Sequence, residues 1–323
     1  KQIFIMRITF LTAIILLCAQ WTNAQSKTFD IKTKTVKKHL YTLASDAMEG
    51  RKVGTLGIEK AAQYIESEFE KIGLIPFENL ITFRQNFTAK GIEMFNIIGV
   101  LEGRSKKDEY VVISAHYDHL GKKSEGKGDL IYNGADDDAS GTTAVLTLAQ
   151  YFKELGNNER SLVFIAFTGE EMGLLGSRHF GKDVDASKFI AGINIEMIGK
   201  TSTYGPKTVW LSGFERSDFG TIIQKNLKKT AYRLFPDPYP NLQLFFRSDN
   251  ASLAELGIPS HTFSTGPIDV DIHYHQVTDE PQTLDMEVIA ETIRAIALGA
   301  QSIISGKDTP TRVVLKKGEG RGN

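Results

Sequence analysis

Apolar residues fall at helical spacing in two early stretches of the chain. Val36, Leu40, Leu43 and Ala44 share one face, as do Ile58, Ala62, Ile65, Phe69 and Ile72, and Gly73 supplies a stop for the second helix. A polar stretch at 45–51, ending Glu49-Gly50-Arg51, breaks the pattern between them. Segments 81–87 and 95–101 read as strands of mixed exposure. From Tyr110 the pattern changes. Unbroken apolar runs at 110–115, 162–167 and 190–195 predict strands buried on both faces. Helices are predicted at 140–155, over a short stretch carrying Leu174, Leu175 and Phe180, and at 219–227, with further strands at 208–211 and 258–263. Residues 235–246 form an aromatic, proline-rich loop, 286–304 a closing amphipathic helix, and the Lys/Gly-rich tail beyond about 306 is expected to fray. Strands alternating with helices predict an α/β fold whose sheet is covered on both faces.

Composition narrows the picture. A chain of 323 residues that is 41% hydrophobic can bury a full core, and a net charge of -1 argues against a broad nucleic-acid footprint. Lys1 and Arg7 precede an apolar run at 8–18, and Thr22-Asn23-Ala24 offers small residues for cleavage. This predicts a secretory signal peptide at 1–24 and one catalytic domain over 25–323, exported to the periplasm or the medium. The run is short for a membrane span, so none is expected in the mature chain. Cys18 is the only cysteine; Leu17 before it disfavours a lipid anchor, and the mature chain can form no disulfide. A metal site must therefore be built from His, Asp and Glu.

Candidate chemistry gathers at the predicted strand ends, where α/β sheets bind ligands. His116 and Asp118 follow the first buried strand. Asp136, Asp137 and Asp138 open the next helix, Glu170 and Glu171 follow the second strand, and Glu196 follows the third. A late loop carries His273 and His275. Three consecutive carboxylates repel one another, and a cation would invert that repulsion. Taken singly, each cluster also suits a solvated turn or a helix start. Their coincidence at one edge points instead to a divalent metal site.

These residues resemble a known family. His116-Tyr117-Asp118, the stretch 134–141, the run Thr168-Gly169-Glu170-Glu171-Met172-Gly173-Leu174-Leu175-Gly176-Ser177 and the His275 loop are similar to the two-zinc aminopeptidases of metallopeptidase family twenty-eight. The resemblance covers roughly 40–304. It implies a three-layer αβα sandwich with a mostly parallel mixed sheet. It also implies two zinc ions bridged by Asp137, one completed by His116 and Glu196 and the other by Glu171 and His275. Glu170 would be the general base, and Asp118 would bind the far nitrogen of His116. The peptide bond between Asp137 and Asp138 would be cis, and Asp136 would be a solvated neighbour or hydrogen-bond partner. His275 is preferred to His273 by its spacing to Asp279. His119 is expected to line the cleft, His39 and His179 to lie on the surface, and a tyrosine between 232 and 239 to serve the oxyanion.

Two departures stand out: Glu196 where relatives often carry Asp, and Asn250 where they often carry His. Glu196 is expected to leave the second metal weaker or of another kind. The activity implied is removal of N-terminal residues from peptide substrates. Its rivals are carboxypeptidase action, for which Arg247 is the candidate carboxylate clamp, glutaminyl cyclisation on the same fold, and a catalytically inactive peptide-binding protein.

Overall fold

A computed structural model describes residues 30–315 and 319. The expected signal peptide, with Cys18, lies outside the described residues. The body runs from Ile31.

The two early amphipathic stretches form helices α1 (Thr33–Leu43) and α2 (Leu56–Ile72). Gly73 ends α2 in the left-handed region at φ 76, its amide donating to the carbonyls of Phe69 and Glu70 at 3.0 and 2.9 Å. Strands β1 (Ile75–Pro76), β2 (Arg84–Ala89) and β3 (Ile92–Leu101) follow, then the long β4 (Lys106–His116) and a small hairpin of β5 (Gly121–Lys122) and β6 (Ile131–Tyr132). Helix α3 (Gly141–Leu155) leads into β7 (Arg160–Phe167), α4 (Leu175–Asp183) and β8 (Phe189–Ile195). Then come β9 (Thr208–Leu211), α5 (Phe219–Leu227), β10 (Arg233–Pro236), α6 (Asn250–Ala254) and β11 (Ser260–Ser264). The predicted closing helix breaks into α7 (Met286–Gly299) and α8 (Gln301–Ile304).

Among the described residues nine strands make one mixed sheet in the order β1-β3-β7-β4-β8-β11-β9-β10, with β2 also on β3. The centre, β7-β4-β8-β11, is parallel, so these four strands end at one edge. Strand β3 joins β7 antiparallel, and β9 joins β11 antiparallel. Every residue of β7 is buried, as an unbroken apolar run requires when both faces of a sheet are covered. Val112, Val163, Ile165 and Phe167 pack with Phe180 of α4 and Leu253 of α6 on one face. Helices α1, α2, α3, α5 and α7 contact one another in a separate layer. The result is the expected three-layer arrangement.

The tail differs from expectation. Arg160, itself buried, donates to the carbonyls of Ile303 and Asp308 at 2.7 and 2.8 Å and to Thr309 Oγ1 at 2.6 Å. Val313 is buried beside Phe245 and Ala254. Residues 307–315 are thus pinned to the body, because a buried guanidinium needs their carbonyls as much as they need it.

Candidate metal centre

The site is assembled where the parallel strands end. His116 is the last residue of β4, and its carbonyl accepts from Thr142 Oγ1 of α3 at 2.8 Å. Its Nδ1 lies 3.1 Å from the carbonyl oxygen of Asp118, an arrangement that keeps the proton on Nδ1 and leaves Nε2 as the free donor atom. Glu196 follows β8, with its amide donating to Phe263 of β11 at 3.1 Å.

The acidic triplet occupies the tight turn Ala135–Ser140, and the Asp137–Asp138 peptide is cis. Each carboxylate has its own task. Asp138 Oδ1 accepts from the Gly141 amide at 2.9 Å and the Met197 amide at 3.3 Å, joining the start of α3 to the end of β8. That junction leaves no room for a side chain, since a Cβ on Gly141 would stand 2.3 Å from the Ile195 carbonyl oxygen. Asp136, expected as a solvated neighbour or a hydrogen-bond partner, is the latter: it is fully buried, its Oδ1 accepts from the Gly199 amide at 2.7 Å, and Lys200 Nζ stands 3.4 Å from Oδ2. The Asp279 carboxylate accepts from the amides of Asp136 and Asp137 at 3.0–3.1 Å, so the turn is held by a residue from the His275 loop.

Only Asp137 turns its carboxylate towards two histidines. Its Oδ1 is 3.1 Å from His116 Nε2, and its Oδ2 is 3.0 Å from His275 Nε2. Two donor sets result, each with its atoms within 4.8 Å of one another: His116, Asp137 and Glu196; and His119, Asp137 and Glu171. His275 Nε2 also lies 3.3 Å from Glu171 Oε1. His273 does not join, its Nδ1 facing Thr278 Oγ1 at 3.0 Å.

These donors fit a cation better than they fit each other. Tetrahedral ligands about 2.0–2.1 Å from one zinc stand roughly 3.3 Å apart. The pairs His116–Asp137, His119–Glu171, His275–Asp137 and His275–Glu171 are separated by 3.0 to 3.3 Å. His116 Nε2, both ring nitrogens of His119 and Glu171 Oε1 are buried without a hydrogen-bond partner among the described residues, because the close pairs are not aligned for one. Orphaned buried donors and acceptors are costly, and ions in the two sets would satisfy His116 Nε2, Glu171 Oε1 and one nitrogen of His119.

The electrostatics agree. Burial, joined by the charges of Glu196, Asp249 and Glu171, pushes the Glu170 carboxyl well up against the pull of His116. Burial acts the same way on Asp137, but His116 and His275 outweigh it and hold that carboxylate well below its usual range. Burial alone would lower His116, yet Asp137, Glu170 and Asp138 raise it well above an ordinary histidine. So much buried negative charge calls for a cation.

Asp118 does not make the contact expected of it. Its Oδ1 stands 3.8 Å from His116 Nδ1 and accepts instead from the Glu170 amide at 3.1 Å. It is the backbone carbonyl of Asp118 that orients His116, and the carboxylate fixes the turn after β7. Burial raises this carboxyl to about 6.

Other expectations also change. The tyrosine facing the site is Tyr274, stacked on His275 at 4.0 Å, whereas Tyr239 packs edge-on against Trp210. His39 is buried, with Nδ1 2.7 Å from the Tyr64 hydroxyl, because Tyr64 of α2 packs over α1. His179 is half-buried, stacked on Phe87 at 4.5 Å. Asn250 carries no donor to the site: its Nδ2 donates to the Phe245 carbonyl and its Oδ1 accepts from Thr262.

A cavity of about 340 Å³ opens beside these residues. Asp137, Glu170, Glu171 and Glu196 line it together with Met197, Trp210, Leu244 and Ile268, and Arg247 also borders it. It therefore joins a carboxylate-rich lining to apolar walls.

A mixed sheet with His, Asp and Glu gathered at the ends of its parallel strands defines a zinc-exopeptidase type of α/β fold. The chain belongs to peptidase family M28, whose model matches residues 96–299. A "probable leucine aminopeptidase" of Trichophyton verrucosum is 35% identical over 231 residues, which cover 66% of this chain and 56% of that protein. The chain spans about half the length of the curated relatives it matches. Among solved structures, BSAP, a zinc aminopeptidase from Bacillus subtilis, aligns with a TM-score of 0.70 at 17% identity, over 90% of this chain and 100% of that one. Porphyromonas gingivalis glutaminyl cyclase aligns with a TM-score of 0.67 at 16% identity, over 85% of this chain and all of that one. These likenesses concern the fold, which hosts more than one reaction.

Proposed function

We propose that this chain is a zinc-dependent aminopeptidase that hydrolyses the N-terminal residue from peptides with two metal ions. The observation that carries the reading is the two donor sets sharing Asp137 on the wall of one cavity. His116, Asp137 and Glu196 would hold one ion, and Asp137, Glu171 and His275 the other. When bound, a pair of such ions supplies an acidified water and polarises a carbonyl.

The chain's own residues account for the rest. Glu170 stands in the cavity outside both donor sets, and its raised proton affinity suits it to take a proton from water and return it to a leaving amine. Asp118 positions it through the Glu170 amide. The Tyr274 phenol borders the cavity, and burial first, then the nearby carboxylates, raises it well above its usual range. It keeps its proton and can donate to a developing oxyanion. The apolar walls suit an apolar N-terminal side chain, and the carboxylates suit its amino group.

Export is part of the proposal, with residues 1–24 as the cleaved leader and the mature enzyme in the periplasm or the medium. The decisive assay is hydrolysis of a panel of aminoacyl-nitroanilides with and without chelator. We expect chelator-sensitive release, strongest for apolar residues. No release from any of them, with cyclisation of N-terminal glutaminyl peptides instead, would transfer the site to the cyclase reading.

A further inference from the structure

We propose that His119 is a metal ligand, a fourth protein donor beside Asp137, Glu171 and His275. This position would then be closed by protein, while the His116–Asp137–Glu196 position keeps its vacancy for water and substrate. The inference rests on the two-metal reading above and adds a residue to it.

His119 is built into place rather than left in the cleft wall. Its side chain is 0% exposed, and neither ring nitrogen has a hydrogen-bond partner among the described residues. An imidazole buried for packing alone would normally satisfy at least one nitrogen, as His261 does through Ser212 and Ser217. His119 Nδ1 lies 3.0 Å from Glu171 Oε1, the oxygen that His275 Nε2 approaches at 3.3 Å from another direction. The two rings meet edge to face, 5.9 Å between centroids. Glu171 Oε1 forms no hydrogen bond, so the two nitrogens converge on an oxygen that accepts from neither.

The backbone holds the ring there. The His119 amide donates to the Arg51 carbonyl at 3.2 Å, and Gly134 leaves the space that the ring fills. A Cβ on Gly134 would stand 2.5 Å from two ring carbons. Four protein donors match a closed tetrahedral zinc site, whereas three match a site with an open position. An asymmetric pair follows, with one ion anchored by protein and the other available to chemistry.

Two measurements test this on the full chain. In the first, cobalt(II) is titrated into metal-free protein and followed by visible absorption and by calorimetry, for the parent, His119→Ala, His119→Asn and the distant control His179→Ala. The parent and the control should take up two equivalents. His119→Ala should take up one as before and the other with at least about 100-fold weaker affinity, beyond the 10–100-fold usual for outer contacts. Its tetrahedral absorption should fall as water replaces the imidazole. His119→Asn, which retains an oxygen near the Nδ1 position, should lie between them.

The second measurement needs no variant, so poor folding of a mutant leaves it intact. X-ray absorption on the zinc-loaded parent should count three imidazoles over two ions. Two imidazoles over two ions, or unchanged cobalt affinity and spectrum in His119→Ala, would overturn the proposal and leave His119 as packing. A parent that binds no metal would overturn the two-metal reading beneath it.

Discussion

Glu170 and Arg51 show how differently single residues serve the site. Glu170 is in the cavity and in neither donor set, so its loss should not disturb metal binding. Glu170→Gln should lower kcat by about 10²–10⁴-fold, the span typical of general-base removal, with unchanged metal content by elemental analysis. Near-parental turnover in the metal-loaded variant would remove the base assignment. Arg51 touches no substrate-facing group. Its buried guanidinium donates to the carbonyls of Leu43, Tyr117, Asn133 and Gly134 at 2.6–2.8 Å. It thereby ties the end of α1 to the two backbone segments that carry the ligands. Arg51→Met would strand those acceptors in the interior, each costing about 1–3 kcal/mol. We expect a loss of several kcal/mol by urea denaturation of the metal-free protein; a change below about 1 kcal/mol would contradict this role.

Among the elements, α7 has a cap that sequence spacing leaves unannounced. Asp285 accepts from the amides of Glu287 and Val288 at 2.8 and 3.4 Å, and its own amide donates to the Gly199 carbonyl at 2.9 Å. Asp285→Ala should cost about 1 kcal/mol, measured as a drop in Tm of roughly 2–4 °C. The same variant should leave Asp136 in place, because the amide of residue 285 survives the substitution. Strands β4, β7 and β8 were legible because burial on both faces writes an unbroken apolar run, and the ligands sit on the residues that end those runs. Strand β10 was not. It is four residues long, ends in Pro236, and exists because β9 offers it a parallel edge. The roles of Arg51 and Asp136 were equally silent, since their partners Asn133 and Asp279 lie far along the chain. His119 follows the His116 motif at once, yet spacing said only that it would reach the cleft. What separates a wall from a donor is a pair of nitrogens with no partner, and that is a property of packing.

At the scale of the whole molecule, two buried histidines outside both donor sets couple folding to acid. Burial, opposed by Glu68 and assisted by Lys38 and Lys71, lowers His39 to about 4. Burial likewise lowers His261 to about 4, against a backbone contact to Ser212. An unfolded histidine titrates near 6.5. As pH falls below that value the unfolded chain takes up a proton that the folded chain refuses, so stability drains away until about pH 4, where both states are protonated. Each histidine can withdraw at most about 3 kcal/mol over this window. Carboxyls raised by burial work in the opposite sense. Asp249 at about 7 and Asp279 at about 8 stay protonated in the fold where the unfolded chain ionises them, and their contribution is lost as pH rises through those values. The raw acid slope therefore mixes both signs, and the informative quantity is the difference between a variant and its parent. For His39→Leu, denatured in urea at half-unit steps from pH 4 to 7 without metal, the parent's stability minus the variant's should rise with pH, by up to about 1.4 kcal/mol per pH unit near pH 5. Parallel curves for the two proteins would mean that His39 titrates in the fold as it does in the unfolded chain, and that the α1–α2 interface around Tyr64 admits a proton.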